Sequence, residues 1–111
     1  LTEIDLKHSP GGLVDIEFLV QYLTLAHAAS CPALTQWPDN VRLLETLADC
    51  GALSVADADA LKAAYLALRA RGHRQALAQT GRELPADMLA VERDAVQDIW
   101  RRLLEADQPL P

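Results

Sequence analysis

The stretch Asp5-Leu6-Lys7-His8-Ser9-Pro10-Gly11-Gly12-Leu13-Val14-Asp15-Ile16-Glu17-Phe18 runs from a polar strand or loop into a strongly apolar helix. Gly11 and Gly12 suit a sharp turn there, because glycine adopts backbone angles that other residues rarely take. If Gly12 is the N-cap, Asp15 occupies the third helical position, where its carboxylate can accept from a free N–H group. The N–H groups of a helix start also favour an anion, so this junction is a candidate site.

Helical signals continue along the rest of the chain. We predict helices over residues 13–29 and 40–50, a long helix from the start signal at Ser54 to about residue 79, and a last helix over 87–105. Four helices with short connections predict an all-α fold, an up-and-down four-helix bundle with room for an extra short helix in a connector.

The first helix is apolar around most of its circumference. Glu17, Gln21 and Thr24 form a narrow polar stripe, so we expect a central, mostly buried helix. In the third helix, Gly72 costs about 1 kcal/mol relative to Ala, and we expect it to let a neighbouring helix approach closely. The residues expected to line the apolar arc of the first helix are Ile16, Phe18, Leu19, Val20, Tyr22, Leu23, Leu25 and Ala26.

Composition limits the classes of partner. The 111 residues carry a net charge of −6, with 16 acidic residues against 10 Lys and Arg, which argues against a nucleic-acid footprint. No apolar run reaches the roughly 18–20 residues of a membrane span, and no signal peptide is evident. The chain opens on Leu1. We therefore expect a soluble, cytoplasmic piece of a longer protein that binds neither nucleic acid nor membrane.

The two cysteines and three histidines give little support for a metal site. Cys31 and Cys50 lack a Cys-x-x-Cys spacing, so we expect buried free thiols, with one disulfide as the alternative. His8, His27 and His73 lie far apart in the sequence, and no Glu-x-x-His pair accompanies them. We expect packing or surface roles for the last two, while His8 lies in the junction loop.

Asp57 and Asp59 have the spacing of a metal-binding Asp-x-Asp pair. Asp57 lies in the first turn of a helix three residues after Ser54, so capping is the preferred interpretation and we expect no metal site.

A cluster of basic residues is unusual in such an acidic chain. It is interpreted as a solvated helix face near a C-terminus or, alternatively, as a patch for an acidic partner protein or a nucleotide phosphate. Its members are Arg69, Arg71, Arg74 and Arg82.

Lys7 and the two glycines could hold a phosphate group, but Asp15 and Glu17 would oppose an anion unless Lys7 or a metal ion intervenes.

Residues 5–23 resemble the signature of the glutamine synthetase adenylyltransferases, and Trp37–Leu44 resembles a second stretch of that family. The resemblance covers about residues 3–105. A shorter form of the first motif also occurs in PII uridylyltransferases.

The resemblance implies a parent enzyme with two fused nucleotidyltransferase cores, each followed by a helical bundle. One half would adenylylate glutamine synthetase with ATP and Mg²⁺, and the other would remove the AMP, under control of the PII signalling protein. The catalytic aspartates of the family lie in a Gly-Ser-x-Asp-x-Asp segment that this sequence lacks, so no catalytic residue is assigned. The resemblance places this chain directly after the C-terminal, adenylylating core. We therefore expect a junction with that core (1–12), a helical bundle domain (13–106) and a tail (107–111).

Two function classes are compatible with the sequence. The chain is either a helical part of a transferase that supports nucleotide or protein-substrate binding, or a purely regulatory interaction bundle. A PII uridylyltransferase-like domain is a further alternative. The residues that match the family signature on the nucleotide side are Asp5, Lys7, Gly11, Gly12, Asp15 and Glu17.

Overall fold

The computed structural model describes residues 3–5, 10–77, 83–85 and 89–105, with side chains for 10–72 and 89–104. Four helices confirm the all-α class, and a short 3-10 helix confirms the extra element in the connector. The elements are β1 (Glu3–Asp5), α1 (Leu13–His27), the connector helix (Pro32–Gln36), α2 (Asn40–Asp49), α3 (Val55–Leu77), β2 (Glu83–Pro85) and α4 (Ala90–Trp100), which continues as a π-helical segment (Arg101–Glu105).

Local capping explains where the middle helices begin and end. The Asp39 carboxylate accepts from the Val41 N–H at 3.0 Å, and the Ser54 hydroxyl accepts from the Asp57 N–H at 3.1 Å. Gly51 follows α2 in the left-handed region with φ +79°. The two side chains accept hydrogen bonds from free N–H groups at helix starts, and the glycine lets the chain turn away after the end of α2, as the sequence predicted.

One hydrophobic core holds the helices together. The central helix α3 packs against α1, α2 and α4. Leucines dominate this core, since the chain has few aromatic residues to fill it. Its largest fully buried side chains are Ile16, Leu19, Val20, Leu34, Leu44, Leu47, Leu61, Leu68 and Val96.

A short antiparallel strand pair links the start of the chain to the segment between α3 and α4. In its register Glu3 lies opposite Pro85, Ile4 opposite Leu84 and Asp5 opposite Glu83. Ahead of the glycines the described residues Glu3–Asp5 form a strand, which brings the backbone of Asp5 opposite Glu83; residues 6–9 lie outside the described part.

The expectation that α1 is mostly buried is wrong. Its core face is fully or almost fully buried, but Phe18 is 52% exposed and Leu25 is 80% exposed. Successive residues turn by about 100° around a helix, so the exposed apolar side chains fall within about 80° of arc, nearly opposite the core face. We call these four residues the apolar stripe: Val14, Phe18, Tyr22 and Leu25.

Gly72 does not support a close helix contact. No atom of the described part of the chain lies within 4 Å of the position that a Cβ would take there. The expected role for this glycine is therefore wrong, and its lack of a side chain is not required by packing.

The expectation of free thiols is also wrong. Cys31 and Cys50 form a disulfide with their Cα atoms 6.2 Å apart. Cys31 lies just before the connector helix and Cys50 caps the end of α2, so the folded connector brings together two residues that are 19 apart in sequence.

The predicted helix ends differ from the observed ones by a few residues. The first helix ends at His27 instead of residue 29, and the second at Asp49 instead of residue 50. The predicted third-helix end at residue 79 lies outside the described residues, whereas the fourth helix begins at Ala90, after the left-handed N-cap Leu89, instead of at residue 87. None of the helices in the described part is long and apolar enough to traverse a bilayer.

Candidate functional site

The two glycines at the start of α1 form a turn that packs directly on α4. Gly11 has φ +78°, and a Cβ at this position would overlap the carbonyl oxygen of Arg93. The Arg93 Cα would lie only 3.0 Å from that Cβ. A residue with a side chain would therefore meet both backbone strain and a steric clash. Contact with α4 gives Gly11 a structural role that sequence patterns had not indicated.

A carboxylate already occupies part of this helix start. The Gly11 N–H donates to Asp15 Oδ2 at 2.7 Å, which confirms the predicted reach of Asp15 back to a free N–H group. Gly12 is the N-cap, as predicted, and its backbone is extended. Because Asp15 places a negative charge at the N-terminal end of the helix dipole, an anionic ligand would approach against it.

A second contact fastens the turn to α4. The Gln97 side-chain amide donates to the Pro10 carbonyl at 3.3 Å. Together with the approach of Gly11 to Arg93, this contact fixes the turn at residues 10–12 relative to the fourth helix. Neither contact was predicted from the sequence, because helical periodicity alone does not indicate which residues of α4 face the turn.

The predicted nucleotide-side residues are only partly described. Gly11, Gly12 and Asp15 come together at the start of α1, and Glu17 is half-buried two residues beyond Asp15. The backbone of Asp5 belongs to β1, whereas Lys7 lies outside the described residues.

The predicted arginine patch is described in only two of its four members. Arg69 lies over the ring of Tyr65, with its guanidinium carbon 5.5 Å from the ring centroid. Arg71 has a buried Nε without a hydrogen-bond partner among the described residues. Arg74 lies in α3 but its side chain is outside the described part, as is all of Arg82.

Within the Asp-x-Asp pair, Asp57 forms an ion pair with Arg102, whereas Asp59 is exposed. Arg102 Nη1 and Nη2 donate to the two carboxylate oxygens of Asp57 at 3.0 and 2.8 Å. These hydrogen bonds with Arg102 lower the pKa of Asp57, burial opposes them by raising it, and the charge of Arg102 adds to the lowering. Arg102 Nε also donates to Asp98 at 3.0 Å. Asp57 therefore joins the start of α3 to the end of α4.

The described residues do not suit a magnesium ion. Among them no group of three or more His, Cys, Asp or Glu side chains is placed to hold a metal. Asp57 already has a bidentate cationic partner, and Mg²⁺ prefers several oxygen ligands in octahedral geometry. The side chains in the described part of the chain therefore do not form a magnesium site.

Comparison with known proteins gives a consistent set of relatives. The family model described as GlnD PII-uridylyltransferase matches residues 1–100. Proteins named bifunctional glutamine synthetase adenylyltransferase/adenylyl-removing enzyme are similar over most of the chain. The one from Shewanella woodyi is 47% identical over 90% of this chain, that from Hahella chejuensis 46% over 89%, and that from Psychromonas ingrahamii 44% over 93%.

These matches cover a small share of each relative. The aligned segment amounts to 10% of the Shewanella woodyi and Hahella chejuensis proteins and 11% of the Psychromonas ingrahamii protein. The chain thus spans about a tenth of the length of the curated relatives it matches.

Proposed function

This chain belongs to the GlnD PII-uridylyltransferase family, and from that premise we propose that it is a helical domain of a bifunctional enzyme that adenylylates and deadenylylates glutamine synthetase. The observation that carries the proposal is 44–47% identity over about nine-tenths of the chain to proteins of that name. Identity spread over nearly the whole domain supports a shared role better than one short motif does.

The domain itself contributes support and positioning in this proposal. The chain lacks the Gly-Ser-x-Asp-x-Asp segment, so AMP transfer would require catalytic residues elsewhere in a longer polypeptide. The turn at Gly11 and Gly12 is held on α4 through Arg93 and Gln97. Asp15 opposes an anion at this helix start, so in this proposal Lys7, four residues before Gly11 in the sequence, supplies the positive charge for a nucleotide phosphate.

The cofactors, partners and location belong to the same proposal. The parent enzyme would use ATP and Mg²⁺, act on glutamine synthetase and respond to the PII signalling protein in the cytoplasm. The net charge of −6 argues against a nucleic-acid partner. The family signature across residues 5–23 supports nucleotide use near the junction.

A helical domain of a PII uridylyltransferase is the second candidate. The description of the matching family model favours it, since that description names PII uridylylation. The names of the similar full-length proteins favour adenylylation instead.

A nucleotide-selectivity assay separates these candidates. The full-length polypeptide that carries this domain is incubated with Mg²⁺ and either α-labelled ATP and glutamine synthetase or α-labelled UTP and the PII protein. We expect label on glutamine synthetase from ATP and none on PII from UTP. Exchanging the nucleotides between the two target proteins is the control, and labelling of PII alone would favour the second candidate.

A further inference from the structure

The apolar stripe on α1 is an exposed surface within the described part of this domain. Tyr22 is 45% exposed and, with Phe18 and Leu25, lies nearly opposite the buried face of the same helix. Phe18 also contacts the Trp100 ring at 5.3 Å between centroids, so the stripe continues onto α4. A contiguous apolar surface of this kind marks an interaction site more often than isolated exposed residues do.

The sequence of α1 is typical of a helix that packs against other protein surfaces on two opposite faces. A helix that is apolar around most of its circumference is normally buried within a larger structure. Here the core covers only the face that carries Ile16, Leu19 and Leu23. The polar residues Glu17 and Gln21 separate this face from the stripe on one side. The second face therefore has the composition of an interior surface without the neighbours that would enclose it.

The exposed area argues against a stable dimer of this domain through the stripe alone. The exposed fractions correspond to about 400 Å² of side-chain surface, given typical side-chain areas. A stable interface between separate proteins buries about 800 Å² on each partner. A covering segment in the same polypeptide needs less area, because its effective concentration is high.

Charge argues against a membrane as the covering surface. Interfacial helices that bind anionic lipids carry Lys and Arg beside their apolar face. Asp15 and Glu17 lie near the start of the stripe instead, and the chain is acidic as a whole. The relatives are about ten times longer than the segment they share with this chain, so a covering surface within one polypeptide is available.

We propose that the apolar stripe of α1 docks on an apolar surface of the same polypeptide outside these 111 residues. This inference rests on the proposed function, since it requires that the domain works within a longer enzyme. Docking through the face opposite the core would hold α1 between two packed layers and fix the orientation of the adjoining turn at Gly11.

Hydroxyl-radical footprinting of the full-length polypeptide tests this docking, with each residue's oxidation rate compared with its own rate in the unfolded polypeptide. Leu25 and Val91 form a matched pair, since they are 80% and 79% exposed in this domain. We expect at least tenfold protection of Leu25 and less than twofold protection of Val91. Oxidation of Leu25 near its unfolded rate, or equal protection of both residues, would overturn the docking.

Two further readouts identify the covering surface. We expect the protection of Leu25 to persist when the polypeptide is diluted until light scattering shows a monomer. Loss of protection on dilution would show that a second copy covers the stripe, and it would overturn the proposal. Leu25→Asp should lower the melting temperature of the full-length polypeptide, whereas Val91→Asp should leave it within about a degree. Equal effects of the two variants would contradict docking.

Failure of this inference and failure of the proposed function give different results. If the unaltered polypeptide adenylylates glutamine synthetase but Leu25 is oxidised freely, only the docking is overturned. If Leu25 is protected but no AMP is transferred, only the proposed function is overturned.

Discussion

Gly11 and Gly51 share a left-handed backbone but have different surroundings. Their φ values are +78° and +79°. A Cβ on Gly11 would meet the backbone of Arg93, whereas a Cβ on Gly51 would meet no atom of the described residues within 4 Å. The two positions therefore separate the cost of the backbone conformation from the cost of a close approach between segments.

Substituting alanine at the two glycines tests this separation. Gly51→Ala should lower the free energy of unfolding by about 1–2 kcal/mol, the cost of a left-handed non-glycine residue. Gly11→Ala should carry the same cost plus about 1–3 kcal/mol for overpacking against α4. Urea unfolding of both variants measures the difference, and equal losses would show that the Gly11 turn does not pack tightly on α4.

Lys7 gives a functional prediction at the residue scale. In the full-length polypeptide, Lys7→Ala should reduce adenylylation efficiency at least about tenfold, because a charged contact contributes roughly 1.5–3 kcal/mol. The melting temperature without nucleotide should stay unchanged, because a contact made only to a nucleotide does not stabilise the unliganded fold. Lys62→Ala is the control, because Lys62 pairs with Glu45 at 3.0 Å within the bundle. Activity that falls only in step with stability would assign Lys7 a structural role.

At the scale of elements, the bundle is joined at specific ends. Arg102 connects the segment after α4 to Asp57 at the start of α3, and Asn40 Nδ2 at the start of α2 donates to the Tyr65 hydroxyl at 3.2 Å. The disulfide joins the region after α1 to the end of α2. These contacts join residues far apart in sequence, so they select one arrangement of helices that could pack their apolar faces in several ways.

The link between α3 and the end of α4 predicts a pH dependence. Arg102 lowers the pKa of Asp57 below its unfolded value near 3.9. The ionised carboxylate therefore stabilises the fold above about pH 4, and this contribution is lost as the pH falls through the lower folded-state pKa. Asp57→Asn should be less stable than the unaltered chain at pH 7, and the difference should shrink below pH 4.

Urea midpoints measured from pH 7 to pH 3 check this dependence. Asp59→Asn is the matched control, because this exposed carboxylate lies two residues along the same helix. It should change the pH profile much less than Asp57→Asn does. A constant difference between Asp57→Asn and the unaltered chain across this range would show that the charge of Asp57 does not stabilise the fold.

At the scale of the whole molecule, the core should suffice for independent folding. The buried apolar side chains of the helices in the described part of the chain form one contiguous cluster, to which α4 contributes Val96 and Ile99. We therefore expect the 111-residue chain to be strongly helical by circular dichroism and to melt cooperatively. Largely strand-like spectra, or a gradual loss of signal without a transition, would show that the domain needs other parts of the polypeptide to fold.

The isolated domain should have no transferase activity of its own. It lacks the paired aspartates with which nucleotidyltransferases hold metal ions, and phosphoryl-type transfer depends on such positioned charges. Purified chain, ATP, Mg²⁺ and glutamine synthetase should give no AMP transfer above a buffer blank. The full-length polypeptide in the same assay is the positive control, and measurable turnover by the domain alone would contradict this assignment.

The sequence by itself determined the helices, their start signals and the family. The side chains of Asp15, Asp39 and Ser54 accept hydrogen bonds from backbone N–H groups no more than four residues away in the sequence. Local spacing was therefore sufficient to predict these contacts. The resemblance to the glutamine synthetase adenylyltransferases is confirmed by relatives of that name. The roles of Asp5, Lys7 and Glu17 toward a nucleotide stay predictions.

Only the tertiary structure showed which contacts form between elements that are distant in sequence. Periodicity identified α1 as apolar on most sides, but it could not indicate that the core covers one face and leaves Phe18 and Leu25 exposed. The close approach of Gly11 to Arg93, the pairing of Cys31 with Cys50 and the contact of Asp57 with Arg102 likewise depend on how the helices pack. The packing of the helices depends on the burial of many side chains at once. The spacing of residues within one helix therefore cannot predict which residue of another helix a side chain will contact.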